Sequence, residues 1–203
     1  MERVIEPELM IDKKQVLAYA NADFEEPHNY FLELLTNLIE KKFTFSGDVI
    51  DLGTGTADIA IRLAKVYQSF NIDAVDGSTA MLDEAKKIIS KHKLDDRINL
   101  IHSPIQNIKS LEKEYVIIMS NSLLHHLHNP MVLWKLIKKV KGTPIIIIMD
   151  LMRPKNTKEV DELVYKYARG EPEILQKDLG THLKPLLLPK KYFYSCKMLD
   201  LNH

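Results

Sequence analysis

An acid and two glycines surround one turn of this 203-residue chain, in the stretch VIDLGTGTADIAIRL. Asp51 follows an apolar run, and Gly53 and Gly55 come directly after it. Glycines in such a turn let a ligand approach the backbone, and the helix that follows offers N–H groups to an anion. An acid ahead of the glycines is unfavourable beside a pyrophosphate and favourable beside an ammonium or a sulfonium. The turn therefore predicts a site for a cationic nucleoside that carries an amino acid.

Apolar segments alternate with amphipathic segments along the chain. About forty residues of helical pattern come first, and strands are predicted at 48–52, 71–77, 98–102, 115–122 and 143–151. This alternation predicts an α/β fold with a Rossmann-like, doubly wound sheet of about five parallel strands, covered on both faces. Such sheets bind ligands beyond the carboxyl ends of their strands. Those ends carry Gly53, Asp76, Ser103, Asn121 and Asp150.

The composition argues against several classes of partner. Lys+Arg and Asp+Glu both number 28, so no global basic field favours nucleic acid or an anionic membrane. Cys196 is the single cysteine, which excludes an internal disulfide and a cysteine metal cluster. The N-terminus is too charged for a signal peptide, and the apolar runs are too short to span a bilayer. We expect a cytoplasmic protein that binds neither nucleic acid nor membrane.

The segments DLGTGTA, DAVDGS, SPIQNI and SNSLLHHL, in this order, resemble the motif series of class I S-adenosylmethionine-dependent methyltransferases. The opening segments ERVIEPELM and YANADFEEPH are similar to the helical lead-in of a bacterial small-molecule or uncharacterised subfamily. The resemblance implies a Rossmann-like core at 45–155, a helical lead-in or lid at 1–44 and C-terminal helices at 156–203. It also implies a methyltransferase that uses S-adenosyl-L-methionine and acts on a small molecule.

The resemblance assigns cofactor contacts residue by residue. Asp51 would act on the amino group of the cofactor, and Gly53, Thr54 and Gly55 would pass under its methionine and ribose. Asp76 would accept hydrogen bonds from both ribose hydroxyls, although an acid at this place can also serve as a turn or cap residue. The other expected contacts are Gly77, Ser78, Met81, Ser103, Pro104, Ile105, Asn121 and Ser122.

Two residues depart from the family pattern. Ala57 stands where the loop usually has a third glycine, which adds one methyl group. Pro104 stands where the family often has an aspartate that accepts from the adenine amino group. Proline cannot make that contact, so adenine recognition would rest on the backbone around Ile105 or on Gln106.

The loop after the fourth strand faces the transferred methyl group in this family. Histidine suits proton removal because its ordinary pKa lies near neutrality, so His125 is the first catalytic candidate and His126 the second. Either ring could instead pack around the next helix. A metal site that includes His128 is not expected, because adjacent histidines point different ways and no nearby carboxylate completes a ligand set.

Three further residues have a functional and an ordinary interpretation. Arg153 could hold a substrate carboxylate or phosphate, or lie on the surface at a strand exit. Tyr19 and Phe24 could form a lid over the cofactor, or pack as ordinary helix residues.

The family's usual C-terminal antiparallel hairpin is expected to be absent, because the sequence ends at LDLNH where a sixth strand would begin. The outer edge of the fifth strand would then be unpaired. A second copy of the chain could cover it as a homodimer, the terminal segment could fold back over it, or the product could be poorly stable. Two other functions stay open: a non-catalytic relative that binds the cofactor or a partner, and a nicotinamide-dependent oxidoreductase.

Overall fold

The computed structural model describes residues 8–150, 156–170 and 173, with a five-stranded parallel sheet at its centre. The strands lie in the order β3-β2-β1-β4-β5, and every neighbouring pair is parallel. This confirms the predicted Rossmann-like α/β fold. The strands are β1 (Gly47–Leu52), β2 (Phe70–Asp76), β3 (Ile98–His102), β4 (Ile117–Asn121) and β5 (Ile145–Met149).

Two helices precede the sheet, and the others connect or follow its strands. They are α1 (Lys13–Asn21), α2 (Glu25–Lys42), α3 (Asp58–Val66), α4 (Thr79–Lys91), α5 (Met131–Ile137) and α6 (Thr157–Ala168). A short 3-10 turn, Ile105–Asn107, follows β3. Pro130 is the cap residue of α5, and the Asn129 side chain accepts a hydrogen bond from the Met131 N–H. None of the helices described is long and apolar enough to cross a membrane.

The sheet is buried on both faces because its strands alternate side chains between two apolar layers. In β1, Val49 packs with α2 and α3, whereas its neighbour Ile50 packs with α5. Both side chains are at most 2% exposed. The continuous apolar runs of the sequence therefore correspond to strands with two buried faces.

The isoleucines of β5 are buried, with exposures of 1–6%. β4 pairs with one edge of β5, and no strand pairs with the other edge among the residues that the structure describes. The expectations for Arg153, for the helices after Gly170 and for the missing hairpin fall outside the described residues. Self-association through the β5 edge stays a prediction.

A buried acid network fixes the ends of β2 and β3 that lie away from the glycine turn. The Asp73 carboxylate is 4% exposed and accepts hydrogen bonds from Tyr115 Oη at 2.7 Å and Asn99 Nδ2 at 2.9 Å. Lys113 Nζ lies 2.8 Å away. Burial acts to raise the pKa of Asp73, but these donors outweigh it and hold the pKa below its usual value.

A surface cavity of about 430 Å³ adjoins this network. It is lined by residues of the starts of β2 and β3, including Asn71 and Ile98, and by side chains of α4. It therefore lies at the opposite ends of these strands from the glycine turn.

Asp73→Ala should lower the free energy of unfolding by about 2–3 kcal/mol, because it leaves the buried Tyr115 hydroxyl without its acceptor and removes the contacts of Asn99 and Lys113. The depressed pKa stabilises the fold above the ordinary aspartate pKa of about 4, and this contribution disappears as pH falls through the lower folded-state value. The stability difference between wild type and variant should therefore shrink below about pH 4. Urea unfolding at pH 7 and pH 3 measures it.

The exposed Asp96 provides the matched control. Asp96→Ala should change stability by less than about 0.5 kcal/mol at either pH. An equal loss in the two variants would contradict a structural role for the Asp73 network.

Candidate functional site

The site lies where the strand order reverses, between β1 and β4. Chains leave these two adjacent strands toward opposite sides of the sheet, which opens a crevice at their carboxyl ends. The glycine turn lies at this crevice, and the N–H groups of Gly53 and Thr54 both donate to the Val75 carbonyl at 2.9 Å. The turn is thereby attached to the end of the neighbouring strand β2.

The two glycines have different surroundings. Gly53 has a φ of +78°, and a Cβ there would lie 2.8 Å from Leu123 Cδ1, so the turn packs tightly against the loop after β4. Gly55 also has a positive φ, of +56°, but a Cβ there would meet only Tyr19 Cε1, at 4.0 Å. The Gly55 side of the turn therefore leaves room for a ligand beneath the Tyr19 ring.

Asp51 is 4% exposed, and its carboxylate accepts a hydrogen bond from Thr54 Oγ1 at 2.7 Å. Burial raises the pKa of Asp51 to about 7, opposed by the Thr54 hydrogen bond and increased further by the charge of Asp76. A group with this pKa gains a proton easily near neutrality. A cation beside it would hold it ionised instead.

Asp76 ends β2 and joins the turn to the start of α4. Its Oδ2 accepts from the Gly55 N–H and its Oδ1 from the Ser78 N–H, both at 2.8 Å. Burial raises the pKa of Asp76, and the N–H groups of Ser78, Gly55 and Gly77 oppose this rise. Each carboxylate oxygen has two acceptor positions, so one on each oxygen can still receive a ligand hydroxyl.

The start of α4 and the end of β3 form one side of the crevice. Ser78 caps α4 by accepting from the Met81 N–H, and Met81 is 7% exposed. The Ser103 N–H donates to the Asp76 carbonyl at 2.9 Å, while the Ile105 side chain belongs to the core beneath α5. Pro104 Cα would lie 3.3 Å from a Cβ on Gly77, so these residues are in close contact.

The end of β4 carries a buried acceptor and a strained residue. Asn121 Oδ1 is buried and has no hydrogen-bond partner within the described part of the chain. Ser122 has a φ of +55°, which a non-glycine residue seldom adopts, and its N–H donates to the Met149 carbonyl. Backbone strain of this kind is common at functional sites.

His125 and His126 occupy different environments. His125 is 3% exposed, its Nδ1 lies 2.6 Å from Asp150 Oδ1, and its N–H donates to Asp150 Oδ2. The His126 ring is half-buried and lies 4.1 Å from the His125 ring, between centroids. Asp150 follows β5 at the edge of the sheet where a ligand is expected to bind. Its carboxylate thus holds His125, the first catalytic candidate, in place.

The lead-in helices bring aromatic residues to the glycine turn. Tyr19 contacts Phe24, with ring centroids 4.7 Å apart, and Phe24 stacks on His28. His28 Nδ1 lies 2.6 Å from Asp58 Oδ2 in the first turn of α3. Burial raises the pKa of the Tyr19 hydroxyl to about 12, with smaller contributions from the charges of Asp76, Asp58 and Asp51.

The Tyr19 ring therefore lies beside the glycine turn, and its role as a lid stays a prediction. The link from His28 to Asp58 was absent from the sequence predictions. The only signal for it in the sequence is the four-residue spacing of Phe24 and His28.

Ala57 is the structural cap of α3, with a φ of +64° and a buried side chain. A left-handed alanine costs about 1–2 kcal/mol relative to an ordinary conformation. Having alanine instead of glycine at position 57 therefore strains the backbone, whereas the extra methyl group is buried in the core without a penalty of its own.

The expected cofactor residues thus lie around one crevice. Within the described residues, no three His, Cys, Asp or Glu side chains are grouped to hold a metal ion.

Comparison with known proteins places this geometry in a family. Residues 49–141 match the family model described as "Methyltransferase domain". The malonyl-[acyl-carrier protein] O-methyltransferase of Priestia megaterium is 30% identical over 105 residues, which span 52% of this chain and 35% of that protein. The release factor glutamine methyltransferase of Rhodopirellula baltica is 36% identical over 76 residues, which span 37% of this chain and 26% of that protein. The matches span about a third or less of these relatives.

Solved structures agree on the fold. A Methanococcus maripaludis protein assigned to the S-adenosylmethionine-dependent methyltransferases matches with a TM-score of 0.63 and 23% identity, over 87% of this chain and 78% of its own. The plantazolicin methyltransferase BamL, solved with SAH and a triazolic desmethylPZN analog, matches with a TM-score of 0.68 and 19% identity. That match covers 88% of this chain and 63% of BamL. The family model, the sheet order and the motif series together show that residues 49–141 are similar to the class I S-adenosylmethionine-dependent methyltransferases.

Proposed function

We propose that the protein transfers a methyl group from S-adenosyl-L-methionine to a small-molecule acceptor. The observation that carries this proposal is the pair of acids at the ends of the adjacent strands β1 and β2. Asp51 and Asp76 lie on either side of a glycine turn whose Gly55 face is open. A ligand that carries both an ammonium group and a ribose diol would match these two carboxylates.

Asp51 would hold the ammonium group, because a cation compensates the buried carboxylate that otherwise protonates near pH 7. Asp76 would hold the two ribose hydroxyls through its remaining acceptor positions. Asn121 Oδ1, which has no hydrogen-bond partner among the described residues, is a further acceptor at the same edge of the sheet. The chain thus offers buried acceptors where the donor molecule has N–H and O–H groups.

When bound, the donor supplies an electrophilic methyl carbon on a positively charged sulfur. The chain must align the acceptor and remove its proton. We assign the proton removal to His126, because the His125 ring is buried, including the Nε2 atom that would accept the proton. The Asp150–His125 pair is then a positioning device for the loop on which His126 stands.

The acceptor class follows from what covers the crevice. Helix α1 places Tyr19 over the glycine turn, and Met10 next to α1 meets Ser78 at the start of α4. A crevice covered from this side suits a small molecule better than a side chain on a folded protein. The glutamine methyltransferase among the relatives keeps a protein acceptor as the second candidate. A non-catalytic binder is the third, supported by Pro104.

Asp76→Asn should weaken binding of S-adenosylhomocysteine by about ten- to a hundredfold, because charged hydrogen bonds to the ribose are lost. Titration calorimetry measures the affinity, and NAD serves as the comparison ligand. Asp83→Asn, which makes the same change on the exposed side of α4, should bind like wild type. Binding of NAD but not S-adenosylhomocysteine would refute the proposed function.

Binding of S-adenosylhomocysteine should strengthen by about five- to tenfold between pH 6 and pH 8, as Asp51 ionises through its pKa of about 7. Below that pKa, binding should release a proton, because the ammonium favours the ionised carboxylate. Calorimetry in buffers of different ionisation enthalpy measures this proton release.

Asp51→Asn should bind more weakly, with little pH dependence over the same range. The Asp83→Asn control should keep the pH dependence of wild type. A wild-type affinity that does not change with pH would contradict the role of Asp51.

Methyl transfer itself is tested with labelled S-adenosylmethionine and a panel of metabolites that carry O, N and C nucleophiles. For an acceptor that must lose a proton, His126→Gln should lower kcat by about 100-fold or more, with donor affinity unchanged. The exposed His92 at the end of α4 provides the control: His92→Gln should retain activity. Donor binding without turnover on metabolites or on protein acceptors would favour the non-catalytic binder.

A further inference from the structure

Residues 8–12, here called the N-terminal strap, cross the carboxyl edge of the sheet before α1 begins. Glu8, Leu9 and Met10 contact the segments that follow β2, β3 and β4. The Met10 carbonyl accepts a hydrogen bond from Ser78 Oγ at the start of α4. Leu9 lies against Gly77, since a Cβ there would come within 2.6 Å of Leu9 Cδ2. The strap therefore runs beside the residues that follow β2 and β3.

Glu8 is the polar end of the strap. Its Oε1 accepts from the His128 N–H at 2.8 Å, and its Oε2 accepts from Gln106 Nε2. One carboxylate thus joins the loop after β4 to the turn after β3. The Glu8 side chain is 21% exposed, so its remaining acceptor positions are still accessible to a ligand.

The position of Glu8 bears on how a base would be recognised at this end of the crevice. Leu9 and Pro104 both lie against Gly77, and the three residues form an apolar wall. Pro104 has no polar side chain, and Ser103 Oγ is directed to the Pro104 carbonyl. Gln106, which the sequence offers as an alternative residue for adenine recognition, donates its amide N–H to Glu8. The carboxylate beside this wall therefore comes from the strap.

We propose that Glu8 accepts a hydrogen bond from the exocyclic amino group of the bound adenine and so selects adenine over hypoxanthine. An aminopurine presents an N–H donor at this position, whereas hypoxanthine presents a carbonyl oxygen that a carboxylate repels. A site built around an acceptor discriminates strongly against a ligand that lacks the donor. The proposal rests on the proposed function, since it assigns one contact within the same cofactor site.

The test compares S-adenosylhomocysteine with S-inosylhomocysteine on wild type, Glu8→Gln and Glu8→Ala by titration calorimetry. Wild type should prefer the adenine ligand by about tenfold or more. Glu8→Gln should reduce that preference to about twofold or less, because its amide N–H can donate to the hypoxanthine oxygen. Glu8→Ala should lose adenine affinity by about tenfold while binding of the inosine ligand stays nearly constant. Glu33→Gln on the exposed face of α2 is the matched control and should keep the wild-type preference.

Several outcomes would overturn the proposal. If both ligands weaken equally in the Glu8 variants, Glu8 only fastens the strap; if neither changes, it has no part in binding. Equal binding of the two ligands by wild type would also refute the assignment. If wild type binds neither ligand, the proposed function itself fails, which separates the two conclusions. Circular dichroism of the unliganded variants checks folding, and Glu8→Gln alone carries the test if Glu8→Ala does not fold.

Discussion

The Asp76 carboxylate holds together the two segments on which the crevice depends. It accepts the Gly55 N–H from one side and the Ser78 N–H from the other, so the glycine turn and the start of α4 share one acceptor. Asp51 lies at the end of the adjacent strand and raises the local negative charge. Like charges in a buried site oppose folding and favour a cationic ligand. The arrangement lowers the stability of the empty protein in exchange for selectivity.

Two strained residues stand on opposite sides of this crevice. Ala57 begins α3 in a left-handed conformation, and Ser122 leaves β4 in another. Between them, Leu123 packs where a side chain on Gly53 would lie. The turn after β1 and the loop after β4 are thus fitted to each other, and a shift in one requires a shift in the other. A rigid contact of this kind would hold the methyl donor and the methyl acceptor at a fixed separation.

The sheet could be predicted from the sequence because strands buried on both faces are continuous apolar runs, and helices on such a sheet have a separate period. Asp51, Asp76 and the glycines were predictable because they follow those strands directly. The Asp150–His125 pair was not, because it joins residues 25 positions apart on different loops. The left-handed conformation of Ala57 could not be predicted from the sequence either, since alanine seldom adopts it. Asp73 within β2 gave no signal because its partners come from β3 and from the segment before β4.

The strap has a consequence for the order in which the molecule assembles. Glu8 contacts partners 98 and 120 residues away in the sequence, so these contacts close long loops. The entropy cost of closing such loops is offset only after the sheet has brought their ends together. The hydrogen bonds of Glu8 are also exposed, and exposed hydrogen bonds open locally more easily than those of a buried sheet. The strap can therefore separate from the crevice while the strands remain paired. Residues 8–12 are in this way the last to complete the structure.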